Sequence, residues 1–208
     1  MRIEEGKNTN RIILASNNPG KLTEILALLD DPKLEVLTPA QLGLDLEVQE
    51  DGATYAANAA HKAQAFARAS GLVALADDSG LEVDALGGHP GLHSHRFSPL
   101  PNADDADRRA YLLSLLKDLP RPWTARFHCT VALATPNEKI LFAEGICPGE
   151  IIPEERGSGG FGYDSIFLLP ELGRTMAELT LEEKNRLSHR ARAVIAARPL
   201  LSGLFPKT

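Results

Sequence analysis

Residues 54–80 read TYAANAAHKAQAFARASGLVALADDSG, and this stretch predicts a helix followed directly by a strand. Its alanines give the first part a high helix propensity and a face that packs closely, and Gly71 is a residue type that ends helices. Residues 72–76 form a short apolar run, which is typical of a buried strand. Ligands collect at the carboxyl ends of strands in open α/β sheets. We therefore predict that residues 77–80, Asp-Asp-Ser-Gly, lie at the tip of this strand, in a functional position.

The rest of the chain predicts further strands and helices in an α/β pattern. Asn18 is a good helix cap and Pro19 suits a first helical turn, so a helix begins there directly after a strand. Thr180 and Glu183 form a capping box that opens the last helix. Strands are predicted at residues 11–15, 34–37, 127–134, 139–144 and 163–169, and further helices at 19–29, 104–116 and 180–198.

Composition limits the functional class of the protein. A chain of 208 residues that is 43% hydrophobic suits one compact domain, predicted over residues 11–208 and preceded by a loose N-terminal extension at 1–10. The net charge of -6 argues against a protein that wraps duplex nucleic acid, so we expect a small ligand. Two cysteines without a paired metal spacing, no signal peptide and no long apolar run predict a cytoplasmic protein with no membrane partner.

A polar turn between the first strand and the first helix is a candidate phosphate site. A helix start offers unpaired N–H groups and a partial positive charge, both of which suit an anion. The alternative interpretation is a capped turn that carries a surface lysine. The residues of this turn are Ser16, Asn17, Asn18, Pro19, Gly20 and Lys21.

The acidic pair Asp77 and Asp78 is a candidate metal site. Adjacent carboxylates in a poor dielectric repel each other unless they share a cation, and Mg²⁺ takes carboxylates together with substrate phosphate oxygens. Glu50 is a candidate third oxygen ligand. The competing interpretations are a solvated turn for the pair and a wet surface for Glu50.

Two later segments carry further candidates. Lys184, His189 and Arg190 suit oxyanions and the edge of a base, although a basic helix end has the same composition. Phe161 begins a Phe-Gly-Tyr-Asp run that offers a stacking face and a polar hook, although a core aromatic is the alternative. Lys62 lies on the alanine-rich helix. A lone lysine there is usually a surface residue, and a functional role depends on the cations of the last helix lying near it.

Taken together, five ordered motifs resemble those of the inosine/xanthosine triphosphate pyrophosphatase family. The resemblance spans residues 11 to 198 and is more specific than any one motif. The motifs are ILASNNPGK (13–21), ADDSGL (76–81), GGHPG (87–91), GGFGYD (159–164) and SHR (188–190).

The resemblance implies an elongated α/β fold with a long mixed sheet, two lobes around an active-site cleft, and a homodimer. It implies hydrolysis of the deaminated purine nucleotides ITP, dITP and XTP to monophosphate and pyrophosphate, with Mg²⁺ as cofactor and Mn²⁺ as a substitute. It also implies a role for each candidate residue. Asp78 is the implied base and metal ligand, with Glu50 and Asp77 near the metal; residues 16–21 and Lys62 hold the triphosphate; Ser79, Phe161, Gly162, Tyr163, Asp164, Lys184, His189 and Arg190 bind the substrate.

One departure from the family pattern leaves alternatives open. The family usually has Glu-Asn-Ala where this chain has Ala57-Asn58-Ala59, so a carboxylate is missing. This departure is the basis for a different class of function, a nucleotide-binding module that no longer hydrolyses. Maf-type pyrophosphatases of other base specificity are a second alternative, but their opening loop is expected to carry arginine in place of Lys21.

Overall fold

The computed structural model describes residues 9–205, and it shows a mixed seven-stranded sheet with flanking helices. The strand order is β2-β1-β3-β4-β5-β6-β7. The strands are β1 Asn10–Leu14, β2 Leu34–Leu37, β3 Val73–Val83, β4 Trp123–Ala134, β5 Ile140–Ile151, β6 Phe167–Leu169 and β7 Arg174–Thr175. The α-helices are α1 Pro19–Leu28, α2 Tyr55–Ser70, α3 Asp105–Leu116, α4 Leu181–Leu187 and α5 His189–Ser202.

Capping residues mark the helix ends; Asn18, Gly71 and the Thr180 capping box were predicted from the sequence, and Thr54 was not. The Asn18 side chain accepts a hydrogen bond from the Lys21 N–H at the start of α1. Thr54 caps α2 in the same way, and Gly71 ends it in the left-handed conformation at a φ of 70°. The capping box of Thr180 and Glu183 opens α4. The starts of α1 and α4 were predictable because a cap depends only on residues within one turn.

The strand that carries the acidic pair is longer than predicted. β3 continues to Val83, so the prediction that Asp77 and Asp78 lie at a strand tip is wrong. Leu81 and Val83 are fully buried in an apolar cluster, and this burial extends the strand beyond the polar residues.

The predicted strand at residues 163–169 and the predicted last helix also need correction. Residues Asp164–Ile166 form a 3-10 turn, and only Phe167–Leu169 is a strand, because Asp164 turns inward and accepts the Phe161 N–H. The predicted last helix is two helices, α4 and α5, separated at Ser188. Ser188 has an extended ψ of 158°, and its hydroxyl accepts the N–H of Ala191. It therefore acts as the cap of a new helix.

The chain divides into two compact units, each of which has its own core. Unit 1 comprises residues up to 77 together with 131–143 and 194 onward, and unit 2 comprises residues 78–130 and 144–193. Residues 1–8 of the predicted N-terminal extension lie outside the described residues, and Asn10 already belongs to β1.

In unit 1, β1 pairs in parallel with both β2 and β3, with Ile12 opposite Val36 and Val73. Alanines of α2 pack with Ile13 and Phe66 in its core. In unit 2, β6 pairs antiparallel with β5 and β7, and Phe167 lies in the core. No helix within residues 9–205 is long and apolar enough to cross a membrane.

Candidate active site

In unit 1, the turn that follows β1 is held by its own side chains. The Ser16 hydroxyl accepts the Asn18 N–H at 3.2 Å, and the Asn18 side chain accepts the Lys21 N–H at 3.1 Å. Pro19 occupies the first turn of α1, where the absence of an N–H costs nothing. The turn therefore presents the amino end of a ten-residue helix, with its partial positive charge, beside Lys21.

Lys21 forms an ion pair with Asp77 in unit 1. The ammonium lies 3.2 Å from the carboxylate, and the Asp77 side chain is only 1% exposed. A lysine therefore offsets the charge of one member of the acidic pair, which lessens the repulsion between Asp77 and Asp78.

A second lysine–carboxylate pair in unit 1 joins α2 to residues 47–51, which we call the acidic segment. Lys62 donates to Glu50 at 2.5 Å. Burial by itself raises the pKa of Glu50, but the Lys62 ammonium and its hydrogen bond, together with Lys21, bring that pKa below its usual value. Glu50 is therefore ionised at neutral pH.

Gly52 fixes the acidic segment against α2. Its N–H donates to the Asn58 side chain at 2.8 Å, and a Cβ at this position would lie 2.6 Å from that same oxygen. A side chain at residue 52 would therefore push the segment away from the helix. The requirement for glycine here depends on tertiary contact, which sequence reasoning did not detect.

In unit 2, Asp78 and Ser79 are held by short contacts. The Asp78 carboxylate accepts the Ser79 N–H at 2.9 Å, and Asp78 is only 6% exposed. Arg190 donates to the Ser79 hydroxyl at 2.9 Å. The start of α5 is thereby tied to the residue beside the candidate base.

Asp164 organises the loop that contains Phe161. Its carboxylate accepts the Phe161 N–H at 2.9 Å and the Lys184 ammonium at 2.6 Å. Gly160, at a φ of 72°, lies so close that a Cβ there would be 2.1 Å from the same carboxylate. We call residues 160–164 the aromatic loop.

Phe161 brings together two of the predicted cations. Lys184 lies over its ring at 5.2 Å from the centroid, and the Arg190 guanidinium does so at 5.4 Å. These separations suit cation–π attraction. Phe161, Lys184 and Arg190, predicted as candidates from separate segments, therefore form one group in unit 2, and Ser79 joins it through Arg190.

His189 is packed by residues that sequence reasoning missed. Its ring stacks on Phe127 with centroids 4.6 Å apart and planes inclined by 14°. Behind it, a Cβ on Gly145 would lie 2.1 Å from the His189 carbonyl oxygen, so only glycine allows this approach of β5 and α5. Phe127 and Gly145 lie on β4 and β5, far from His189 in sequence, and no local sequence signal marks either residue.

The candidate metal ligands are carboxylates: Glu50 and Asp77 in unit 1, and Asp78 in unit 2. Oxygen donors of this kind fit Mg²⁺, which takes one or two carboxylates and completes its shell with water and phosphate oxygens. Within residues 9–205, the structure shows no group of three or more His, Cys, Asp or Glu side chains arranged to hold a metal ion.

Comparisons with known proteins agree with the predicted resemblance. The Ham1 family matches residues 12–200. A dITP/XTP pyrophosphatase of Desulforamulus reducens is 48% identical over 94% of this chain and 97% of its own, and one of Geobacter sulfurreducens is 48% identical over 88% and 92%.

Solved structures show the same likeness. A HAM1 protein from Coxiella burnetii superposes with a TM-score of 0.84 at 39% identity, covering 94% of this chain and 100% of its own. The Ham1 protein of Staphylococcus aureus gives a TM-score of 0.82 at 36% identity, with the same coverage. Sequence and fold therefore agree over nearly the whole length, and this chain belongs to the Ham1 family.

Proposed function

We propose that this protein hydrolyses deaminated purine nucleoside triphosphates, ITP, dITP and XTP, to the monophosphate and pyrophosphate, and so clears them from the nucleotide pool. The observation that carries the proposal is the 48% identity, over 94% of this chain, to a protein named dITP/XTP pyrophosphatase. The cationic and aromatic groups of the two units supply the chemistry that such a substrate requires.

Unit 1 supplies the groups that we assign to the triphosphate. Residues 16–21 offer backbone N–H groups at the start of α1, and Lys21 and Lys62 offer ammonium groups. Each lysine is already oriented by a carboxylate, Asp77 or Glu50. Positive groups fixed before the substrate arrives stabilise the charge that develops on the leaving pyrophosphate.

Asp78 is the residue that we assign as general base. Its carboxylate accepts a proton from the attacking water, whose oxygen bonds to the α-phosphorus while the bond from that phosphorus to the leaving pyrophosphate breaks. The Ser79 N–H holds the carboxylate by a hydrogen bond, and this fixes the direction in which it accepts the proton.

Nucleoside triphosphate pyrophosphatases of this family generally need a divalent metal, and we propose Mg²⁺, with Mn²⁺ as a substitute. Asp78 would hold it, with help from Asp77 and Glu50, which all offer the oxygen atoms that Mg²⁺ prefers. When bound, the ion neutralises negative charge on the phosphate oxygens.

We assign recognition of the base to unit 2. The Phe161 ring offers a stacking face, and His189 and Arg190 carry hydrogen-bond donors. A purine with oxygen at position six accepts hydrogen bonds where adenine donates them. A site built from donors therefore favours hypoxanthine and xanthine over adenine, since mismatched buried polar groups are costly.

One assay tests the function directly. The protein is incubated with Mg²⁺ and, in separate reactions, with ITP, dITP, XTP, GTP or ATP, and pyrophosphate and orthophosphate are detected separately. We expect pyrophosphate from the first three nucleotides and much slower release from ATP. Equal efficiency on ATP would overturn the base assignment. Tight binding of ITP without any release of pyrophosphate would identify a non-hydrolysing binding module instead.

We further propose a cytoplasmic homodimer. Cys129 and Cys147 are both buried and unbridged, which suits a reducing compartment. Light scattering coupled to size exclusion should give twice the chain mass of 22.4 kDa, and a mass equal to one chain would refute the dimer.

A further inference from the structure

Two residues of α3 form hydrogen bonds to the aromatic loop. Asp105 accepts the Gly162 N–H at 2.7 Å, and Arg109 donates to the Gly162 carbonyl at 2.9 Å. Both polar groups of a single glycine are therefore bound by side chains one helical turn apart. All three residues belong to unit 2.

Gly162 is a point at which the loop requires external support. Its φ is +64°, in the left-handed region that favours glycine, and a Cβ there would meet nothing within 4 Å. Glycine enters many backbone conformations at little cost. The two hydrogen bonds from α3 therefore restrict the conformation of the loop at Gly162, in addition to the contacts of Asp164.

Asp105 and Arg109 are themselves held by other side chains. Arg109 also pairs with Glu155 at 2.9 Å, and Asp105 is hydrogen-bonded to Arg108, which donates to the Ala103 carbonyl at 2.6 Å. Burial by itself raises the pKa of Asp105, but the hydrogen bonds from Arg108 and Gly162 bring it below its usual value, so the carboxylate is ionised. An ionised acceptor makes a stronger hydrogen bond to a backbone N–H.

A continuous set of contacts leads from Gly162 to the candidate base. Gly162 adjoins Phe161, whose ring lies against both Lys184 and Arg190. Arg190 in turn donates to Ser79, next to Asp78. On the other side of Gly162, the buried Tyr163 hydroxyl donates to the Ser94 carbonyl at 2.8 Å.

From these contacts we infer that Asp105 and Arg109 are positioning residues that hold the aromatic loop in the conformation that receives the base. The inference rests on the proposed function, because it takes a nucleoside as the ligand of that loop. The two residues touch no reacting atom. They act through Gly162 on Phe161 and so determine affinity for the base and discrimination between bases.

The test compares Asp105→Ala and Arg109→Ala with Asp104→Ala as the matched control. Asp104 caps the same end of α3 by accepting the Asp107 N–H, whereas Gly162 is hydrogen-bonded by Asp105 and Arg109. Calorimetry measures the binding of IMP and of inorganic pyrophosphate, and steady-state kinetics measure efficiency on ITP and ATP.

We expect the two positioning variants to weaken IMP binding by roughly tenfold, the cost of a lost hydrogen bond to an ionised group, with pyrophosphate binding unchanged. The ratio of ITP to ATP efficiency should fall by a similar factor. Asp104→Ala should leave both quantities as in the parent. Asp105→Asn retains an acceptor oxygen and should recover part of the IMP affinity.

Equal losses of IMP and pyrophosphate binding, or an equal effect of Asp104→Ala, would show that α3 acts only through general stability, and the inference would fail. A parent protein that binds IMP but does not hydrolyse ITP would refute the proposed function and leave the positioning role to be decided by the IMP affinities. A parent that does not bind IMP would refute both.

Discussion

Asp78 combines burial with a carboxylate that accepts the Ser79 N–H. Asp78→Asn keeps the size of the side chain and removes the ability to accept a proton from water at neutral pH. We expect turnover of ITP to fall by at least about a thousandfold, in line with the loss of a general base and of charge at a phosphoryl-transfer centre. Calorimetry should find that the variant still binds ITP with largely parental affinity. A variant with near-parental turnover would show that Asp78 is not the general base.

Lys184 and Asp164 form a buried ion pair, with side chains that are 5% and 6% exposed. Lys184→Met removes the cation that offsets the Asp164 charge, and such a loss costs about 3 kcal/mol in the free energy of unfolding. Urea denaturation measures this. The double variant Lys184→Met with Asp164→Asn should be more stable than the single one, since it also removes the charge of the buried Asp164. A single variant as stable as the parent would contradict the account.

Several candidate residues could be predicted because their chemistry is visible in the residue type. Lys184 and Arg190 were candidates because cations suit phosphates, and the structure gathers both around Phe161. The sequence pattern did not identify Gly145 or Asp105, whose roles come from approaches to His189 and Gly162 in segments distant in sequence. A role defined by a partner far along the chain leaves no mark in the local pattern.

The start of α2 places Ala57 at a helix-capping position. Thr54 is the cap and its hydroxyl accepts the Ala57 N–H, so residue 57 is the position where a glutamate completes a capping box. Ala57→Glu should raise the free energy of unfolding by about 0.5 kcal/mol. Thermal denaturation measures the gain.

Ala56→Glu is the matched control for that prediction, because it adds the same charge to the same helical turn without completing the box. It should give a smaller gain than Ala57→Glu. The magnesium concentration for half-maximal activity should stay at the parental value in both variants. A lower magnesium requirement in Ala57→Glu, without added stability, would instead identify the missing glutamate as a metal ligand.

The helix and strand ends that were predicted correctly are those set by local rules such as capping. α1 begins at its predicted cap, α2 ends at the predicted Gly71, and β2 has its predicted bounds, Leu34–Leu37. The errors occur where tertiary burial or a competing cap prevails. β3 runs past its polar residues to bury Leu81 and Val83, and Ser188 divides a run with helical periodicity into α4 and α5.

The order of the seven strands in the sheet could not be predicted from the sequence pattern. Periodicity identified strands, but it does not state which ones are neighbours, and pairing is decided by the packing of complete elements. The resemblance to a family supplied the mixed sheet, because related sequences retain a fold even where the individual pairing signals are weak. The composition did predict that the chain is large enough to form cores, and each unit has one.

Across both units, several carboxylates are stabilised in the ionised form. The pKa of Glu50 is lowered in unit 1, and in unit 2 that of Asp105 is lowered by its hydrogen bonds. Hydrogen bonds from Arg174 and from the Thr180 N–H lower the pKa of Glu183 from 4.5 to about 2. A folded-state pKa below the unfolded value means that the unfolded chain binds more protons in acid, so stability rises with pH through this range.

The stabilisation from these groups is therefore complete above their ordinary pKa values of 3.8 to 4.5 and is lost as the pH falls through the lowered values, about 2 for Glu183. We expect the free energy of unfolding, measured by urea titration and Trp123 fluorescence, to fall steadily once the pH drops below about 4.5. Glu183→Gln should flatten this acid limb, because its amide does not titrate. A free energy of unfolding that stays constant between neutral pH and about pH 3 would show that these ion pairs and caps contribute nothing to the stability of the fold.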